Sequence, residues 1–354
     1  MQDQRQIILG IESSCDETAC AVVADGRDVL ASVVASQIDL HARFGGVVPE
    51  LASRAHIEAI NTVIDHALTE ASVDPDQLTA IAVTCQPGLI GSLLVGLMAA
   101  KTLAFAWDLP LIGVNHVYAH AWAAALDAEP LEYPAAALIC SGGHTALYHC
   151  TSPTEMHLLG STIDDAAGEA FDKVASILQL GYPGGPVIDR AAREGNPAAV
   201  DFPRPLLKGQ SLDFSFSGVK TAVLYHVNGP PVHPSRKDQA PAEAKGIETF
   251  SQQQVKDIAA SFQAAVVDVL RIKLKRAAEQ TGAKTLILGG GVAANSALRA
   301  AAEELADKLG ATLRKPAMAY CVDNAAMIAG LGYHYLQHGQ THGLDLPAHA
   351  TVRG

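Results

Sequence analysis

The sequence predicts an α/β protein built of two related domains. Short apolar strands alternate with helix-length amphipathic segments, the pattern of sheets covered on their faces. A strand, polar turn, strand unit occurs twice, about half a chain apart: residues 7–11, 12–18 and 19–23, then 135–140, 141–145 and 146–149. The 354 residues, 49% hydrophobic and 18% charged, are enough for about two domains with buried cores.

The elements follow in chain order. Residues 56–68 carry Ile57, Ile60, Ile64 and Leu68 at helical spacing. Residues 79–100 contain no charge and match the roughly 20 residues of a membrane span. Gln86-Pro87-Gly88 interrupts them, so the expectation is a strand at 81–84, a turn and a buried helix from Ser92, with no membrane crossing. A short strand is expected at 110–114 and a helix at 116–126. Residues 164–180 read as helical and end in Gly181-Tyr182-Pro183-Gly184-Gly185-Pro186. Residues 255–274 form a long amphipathic helix with Val255, Ile258, Phe262, Val266 and Val269 on one face. A strand at 285–288 runs into Gly289-Gly290-Gly291, and 295–309 are helical. Residues 228–246, with Pro230, Pro231, Pro234 and Pro241, predict a solvated loop or insertion. The expected units are 1–134 and 135–330, with 331–354 packing back on the first.

Charge and cysteine usage narrow the function classes. Lys and Arg number 25 against 37 Asp and Glu, a formal charge of −12. No global basic field attracts nucleic acid or anionic membranes, so an RNA substrate needs a local patch or a helper protein. The six cysteines form no C-x-x-C pair and read as free thiols of a reducing, cytoplasmic compartment. The polar start, Met1 to Gln6, lacks the apolar core of about 7–15 residues that a signal peptide requires.

Several motifs can carry chemistry. His116-Val117-Tyr118-Ala119-His120 puts two imidazoles at i and i+4, about 5–6 Å apart on one helix face. Metal binding and a chance pairing among 14 histidines are both open from spacing alone. The peptidase pattern H-E-x-x-H fails because Val117 follows His116. A third ligand must come from elsewhere, and Asp323 is a candidate. Ser141-Gly142-Gly143-His144-Thr145 lets backbone N–H groups approach an anion, or is an ordinary turn. Gly289 to Asn295 is strand, glycine turn and helix start, suited to a phosphate or nucleotide. It also fits G-x-G-x-x-A, whereas the absence of G-x-x-x-x-G-K-[ST] argues against a P-loop NTPase. Gly168-Glu169-Ala170-Phe171-Asp172-Lys173 and Gly184 to Asp189 set carboxylates beside tight turns, where they could hold ribose hydroxyls. The alternating Phe214-Ser215-Phe216-Ser217 makes a poor core strand. Arg271, Lys273, Lys275, Arg276 and Lys284 form either a solvated helix end or, as the minority reading, an RNA-contacting patch.

These motifs occur in series over nearly the whole chain, together with Gly10-Ile11-Glu12-Ser13-Ser14-Cys15-Asp16-Glu17-Thr18, Gly45-Gly46-Val47-Val48-Pro49-Glu50-Leu51-Ala52-Ser53-Arg54 and Asp323-Asn324. In that order they resemble the TsaD (Gcp/YgjD) family, the tRNA N6-adenosine threonylcarbamoyltransferases. The resemblance implies the ASKHA (actin/Hsp70-like) fold, an α/β architecture with two related domains around a nucleotide-binding cleft. It implies an acyltransferase that moves threonylcarbamoyl from threonylcarbamoyl-AMP to N6 of the adenine 3′ of the anticodon, in tRNAs reading codons that start with A. AMP leaves. It implies that His116, His120 and Asp323 hold one divalent metal per subunit, Fe(2+) first and Zn(2+) second. It also implies that Ile139, Cys140, Ser141, Gly142, Gly143, Asp172, Gly185, Asp189 and Asn295 contact the substrate. The group that removes the amine proton is not implied; Asp16 and Glu17 are the candidates. Bacterial members work with TsaB-like and TsaE-like proteins. The segment 228–246 departs from the family by its length. A metallopeptidase and a sugar-phosphorylating relative of the same fold are the competing readings.

Overall fold

The computed structural model describes residues 5–230 and 246–351. Most of the expected Pro-containing loop, 231–245, therefore lies outside the described residues. The first half builds β1 (Ile7–Glu12), β2 (Glu17–Ala24), β3 (Asp28–Ser36), α1 (Ile38–Ala42), α2 (Pro49–Ala71), β4 (Ala80–Gln86), α3 (Ile90–Trp107), β5 (Leu111–Asn115) and α4 (His116–Trp122). The second builds β6 (Ala135–Cys140), β7 (Thr145–Ser152), β8 (Glu155–Ser161), α5 (Ala167–Ile177), α6 (Gly184–Ala192), α7 (Ser217–Asn228), α8 (Gln252–Thr281), β9 (Thr285–Gly289), α9 (Ser296–Leu309), β10 (Thr312–Arg314) and α10 (Ala325–Gln337).

The repeated hairpin is the visible part of a repeated sheet. One sheet has the order β3-β2-β1-β4-β5 and the other, read from its far end, β8-β7-β6-β9-β10. In each, an antiparallel three-strand meander is extended by two parallel strands. The central strands are apolar on both faces because both faces are covered. Along β1, Ile8 packs with Ala82, Ile112 and α10, while Leu9 and Ile11 face α2 and α3 through Ile60, Ile64 and Leu97. At Gly10 a Cβ would lie 2.3 Å from the Ala325 carbonyl oxygen, so glycine lets α10 rest on the β1 backbone. The C-terminal return onto the first sheet thus opens with α10 at Ala325, ahead of the expected boundary at 331.

α4 joins the two sheets. Its Ala119 and Trp122 belong to the core of the first, and its Val117 and Ala121 pack with Ala135, Ala137 and Ile287 of the second. The histidine pair therefore rides on the element shared by both halves.

Two expectations need correction. α3 is not a buried helix: Leu93, Leu97, Ala100 and Ala104 face inward, whereas Ile90, Leu94, Met98 and Phe105 are exposed. Among the described residues it is the one helix long and apolar enough to cross a membrane, and here its inner face packs on β4 and α2. The cationic run on α8 is not an open patch. α8 starts at a Ser251/Gln254 capping box and continues to Thr281, so Arg271, Lys273, Lys275 and Arg276 lie within the helix, while Lys284 follows it and is exposed. Lys273 is fully buried and donates to the carbonyls of Leu206 (3.1 Å) and Ser211 (2.9 Å). Arg276 donates to the Leu207 carbonyl at 2.7 Å. Lys275 pairs with Glu279, and Arg271 lies 3.7 Å from Asp268. Two of these cations secure the 206–211 loop and two are paired on the helix itself.

Candidate metal and nucleotide site

The paired histidines are placed by a cap. At the end of β5 the Asn115 side chain accepts from the backbone N–H groups of Val117 (2.9 Å) and Tyr118 (3.3 Å), so α4 begins at His116. His120 follows one turn later, and the two rings meet edge to face at 4.6 Å. A second cap places the third residue. Asn324 accepts from Met327 N–H at 3.0 Å and donates to the Val322 carbonyl at 2.8 Å, which holds Asp323 just ahead of α10. Asp323 Oδ1 then lies 3.1 Å from His120 Nε2 and 3.4 Å from His116 Nε2.

These three donor atoms lie within 4.8 Å of one another. Two imidazoles and one carboxylate converging on a point suit a divalent transition metal. Burial opposes charge on Asp323, yet His116 and His120 hold its carboxyl well below the usual range. Burial likewise opposes charge on His116, but Asp323 and Glu12 hold its imidazole well above the usual value. His120 is pushed down, by burial and by the neighbouring His116. The sequence reading missed Glu12, which is fully buried beside His116 Nδ1. Its signal was a lone carboxylate ending an apolar strand.

A cavity of about 650 Å3 opens between the two halves. Of the expected site residues it gathers Asp16 from the first polar turn and Gly142, Gly143 and Asp172 from the second half; Gly185, Asp189, Asn295 and the His–His–Asp trio are not in its lining. A Cβ at Gly142 or Gly143 would touch nothing within 4 Å, so their backbone is open to a ligand. The side chains of Ile139 and Cys140 are buried, which leaves only their backbone to meet one. Ser141 is also buried, its Oγ accepting from His144 N–H at 3.2 Å. Burial, followed by His116 and His120, pushes the His144 imidazole down to about 4.

Of the other candidates, Asp172, Asp189 and Asn295 are engaged in holding the fold. Asp172 accepts from Gly184 N–H at 2.7 Å, and burial raises its carboxyl above the usual range. Gly185 is open, with nothing within 4 Å of a Cβ. Asp189 accepts from Ser296 Oγ at 2.7 Å and pairs with Arg193 at 2.8 Å. Asn295 caps α9 through Leu298 N–H (3.0 Å) and donates to Gln263 Oε1 at 2.6 Å.

The glycine turn after β9 has a different origin from the expected one. A Cβ at Gly289 would lie 2.4 Å from the His120 carbonyl oxygen, and one at Gly290 would lie 2.3 Å from the Cys140 carbonyl oxygen. Gly290 also has φ +82°, where side chains are strained. These two glycines let the turn pack against α4 and β6. Only Gly291 faces open space. Arg299 then ties the turn to the Asp323 loop, donating to the carbonyls of Ala293 (2.6 Å) and Pro316 (2.7 Å) and to Cys321 Sγ (3.1 Å).

The two base candidates separate. Asp16 faces the cavity. Glu17 accepts from Ser36 Oγ at 3.0 Å, and burial, then the charges of Asp323 and Asp16, push its carboxyl up to about 9. Of the two, Asp16 alone faces the cavity.

The model of the family described as tRNA N6-adenosine threonylcarbamoyltransferase, TsaD, matches residues 28–330. A protein of that name from Geobacter sp. (strain M21) is 52% identical over 342 residues, 97% of this chain and 95% of its own length. Another, from Clostridium beijerinckii (strain ATCC 51743 / NCIMB 8052), is 47% identical over 349 residues, 99% and 98% of the two chains. Full-length HypF in its phosphate- and nucleotide-bound form aligns with a TM-score of 0.57 at 15% identity, over 94% of this chain and 46% of that one. Component A of the Acidaminococcus fermentans (R)-2-hydroxyglutaryl-CoA dehydratase gives 0.50 at 16% identity, over 94% and 99%. At these identities the likeness to the solved structures is one of fold, and the fold is ASKHA. With a family model spanning most of its length and relatives about half identical from end to end, the chain belongs to the TsaD family of tRNA N6-adenosine threonylcarbamoyltransferases.

Proposed function

We infer that this chain transfers the threonylcarbamoyl group of threonylcarbamoyl-AMP to N6 of the adenine 3′ of the anticodon, in tRNAs reading codons that start with A. The observation that carries the reading is identity of about half over nearly the full length to proteins of that name, on a chain whose His–His–Asp trio lies at the junction of two related domains. The exocyclic amine of adenine is a weak nucleophile, so the donor is a mixed anhydride. The amine nitrogen forms a bond to the carbamoyl carbon, the bond to the phosphate oxygen breaks, AMP departs with that oxygen, and the amine gives up one proton.

The chain's own residues divide this work. Gly142 and Gly143 offer open backbone to the adenylate, with Ile139, Cys140, Ser141, Asp172, Gly185, Asp189 and Asn295 as the proposed surrounding contacts. Asp16 is the proposed proton acceptor, because it is the base candidate that lines the cavity. His116, His120 and Asp323 would hold one divalent metal, Fe(2+) first and Zn(2+) second, which supplies Lewis-acid orientation and charge stabilisation of the donor. The proposed units are 1–134 and 135–324, with the C-terminal segment from Ala325 returning to the first.

An acidic chain whose α8 cations are already engaged is poorly suited to bind tRNA unaided. TsaB-like and TsaE-like partners and a cytoplasmic setting complete the proposal. Reconstitution with tRNA, threonine, bicarbonate, ATP and partner proteins should yield N6-threonylcarbamoyladenosine by nucleoside mass spectrometry. A complete system that forms none would reject the reading.

A further inference from the structure

Glu12 ends β1 with no exposed surface. A carboxylate removed from water is costly unless its oxygens are matched by donors. Here they are. One oxygen accepts from the backbone N–H of Ser14. The other accepts from Thr84 Oγ1 at 2.6 Å and lies 2.8 Å from His116 Nδ1, closer to that nitrogen than Ser14 Oγ at 3.2 Å. Thr84 stands on β4, the parallel neighbour of β1, so two strands fix the carboxylate in place. The far nitrogen of the same ring, Nε2, faces Asp323. His120 has no equivalent support, since its Nδ1 is buried without a hydrogen-bond partner.

We propose that Glu12 is a positioning residue for the metal site: it accepts the Nδ1–H of His116 and so presents the Nε2 lone pair to the cation. This rests on the reading of His116, His120 and Asp323 as metal ligands. Carboxylates that accept from the remote nitrogen of a ligating histidine fix its tautomer and orientation, and their loss typically lowers metal affinity about 10–100-fold. A carboxylate is required because donors approach both oxygens. An amide must turn its NH2 toward one side. Toward Ser14 it meets another donor; toward His116 it demands an unprotonated Nδ1, which moves the proton to Nε2 and blocks the metal.

Glu12→Gln keeps the shape and tests the point. Zinc affinity, measured by chelator competition on the purified full-length protein, should fall about 10–100-fold, with circular dichroism unchanged. In the zinc-saturated wild type, a downfield imidazole Nδ1–H proton protected from exchange should be visible by NMR; in Glu12→Gln it should move upfield and exchange faster. Should Glu12→Gln fail to fold, Thr84→Val removes one support and should weaken zinc a few-fold. Wild-type zinc affinity in a folded Glu12→Gln, or in Thr84→Val when that is the variant available, overturns the proposal alone. A wild type that binds no zinc overturns the metal reading together with it.

Discussion

The turns between β1 and β2 and between β6 and β7 occupy equivalent places in two sheets of one topology, and their chemistry is opposite. The first is carboxylates and hydroxyls: Glu12, Ser13, Ser14, Asp16 and Glu17. The second is Ser141-Gly142-Gly143-His144, with backbone open to the cavity. The first side would repel a phosphate and favours a cation, which fits its place beside the His–His–Asp trio. The second leaves N–H groups for an anion. A repeated fold thus supplies two loop positions in equivalent registers, and the proposed function gives one to the cation and the other to the nucleotide. α4 and the turn packed on its backbone at Gly289 keep the two in register.

The largest expected effect separates structural glycine from ligand-facing glycine. Gly290→Val forces a β-branched residue to φ +82° against the Cys140 carbonyl; it should cost on the order of 4 kcal/mol of stability, seen in denaturant melts. Gly143→Val should melt like the wild type and raise the donor's KM about tenfold, a loss of about 1.4 kcal/mol, with metal content unchanged. Normal donor affinity in Gly143→Val would remove the open turn from the nucleotide side.

A smaller effect divides the two carboxylates of the first turn. Asp16→Asn should lower transfer at saturating donor by about 100-fold, the low end for a general base, while Glu17→Gln should change it little at neutral pH. A carboxyl raised from 4.5 to about 9 in the folded state binds more protons folded than unfolded between those values. Its contribution is fully present below 4.5 and is lost as pH rises through about 9. Metal-free wild type should therefore lose melting temperature from pH 6 to 9 relative to Glu17→Gln; parallel profiles would contradict a raised Glu17 carboxyl.

The smallest effect concerns tRNA. Lys275→Glu exchanges a surface partner of Glu279, a pair worth about 0–1 kcal/mol at most, and should change tRNA affinity less than about twofold by filter binding. A large loss would restore the patch on α8.

What was legible in the sequence was local. The hairpins, the α4 histidine pair and the long α8 announce themselves by period and spacing. The meanders' third strands did not, because β3 and β8 are edge strands with half-exposed residues and no clean alternation. Lys273 read as solvated because its partners, the carbonyls of Leu206 and Ser211, stand more than sixty residues away. Gly289 and Gly290 read as ligand-facing because a glycine's sequence does not say which backbone approaches it. Asp323 was reached through the need for a third ligand and the family resemblance, not through any local signal; the geometry that joins it to α4 depends on Asn324 capping α10 against the first sheet.

Metal content and modified nucleoside measured on one preparation of Asp323→Ala test the central assignment most directly. The account predicts a folded protein, by circular dichroism, that has lost both its divalent metal and transfer of threonylcarbamoyl to tRNA. Full metal occupancy with near-wild-type transfer would contradict it.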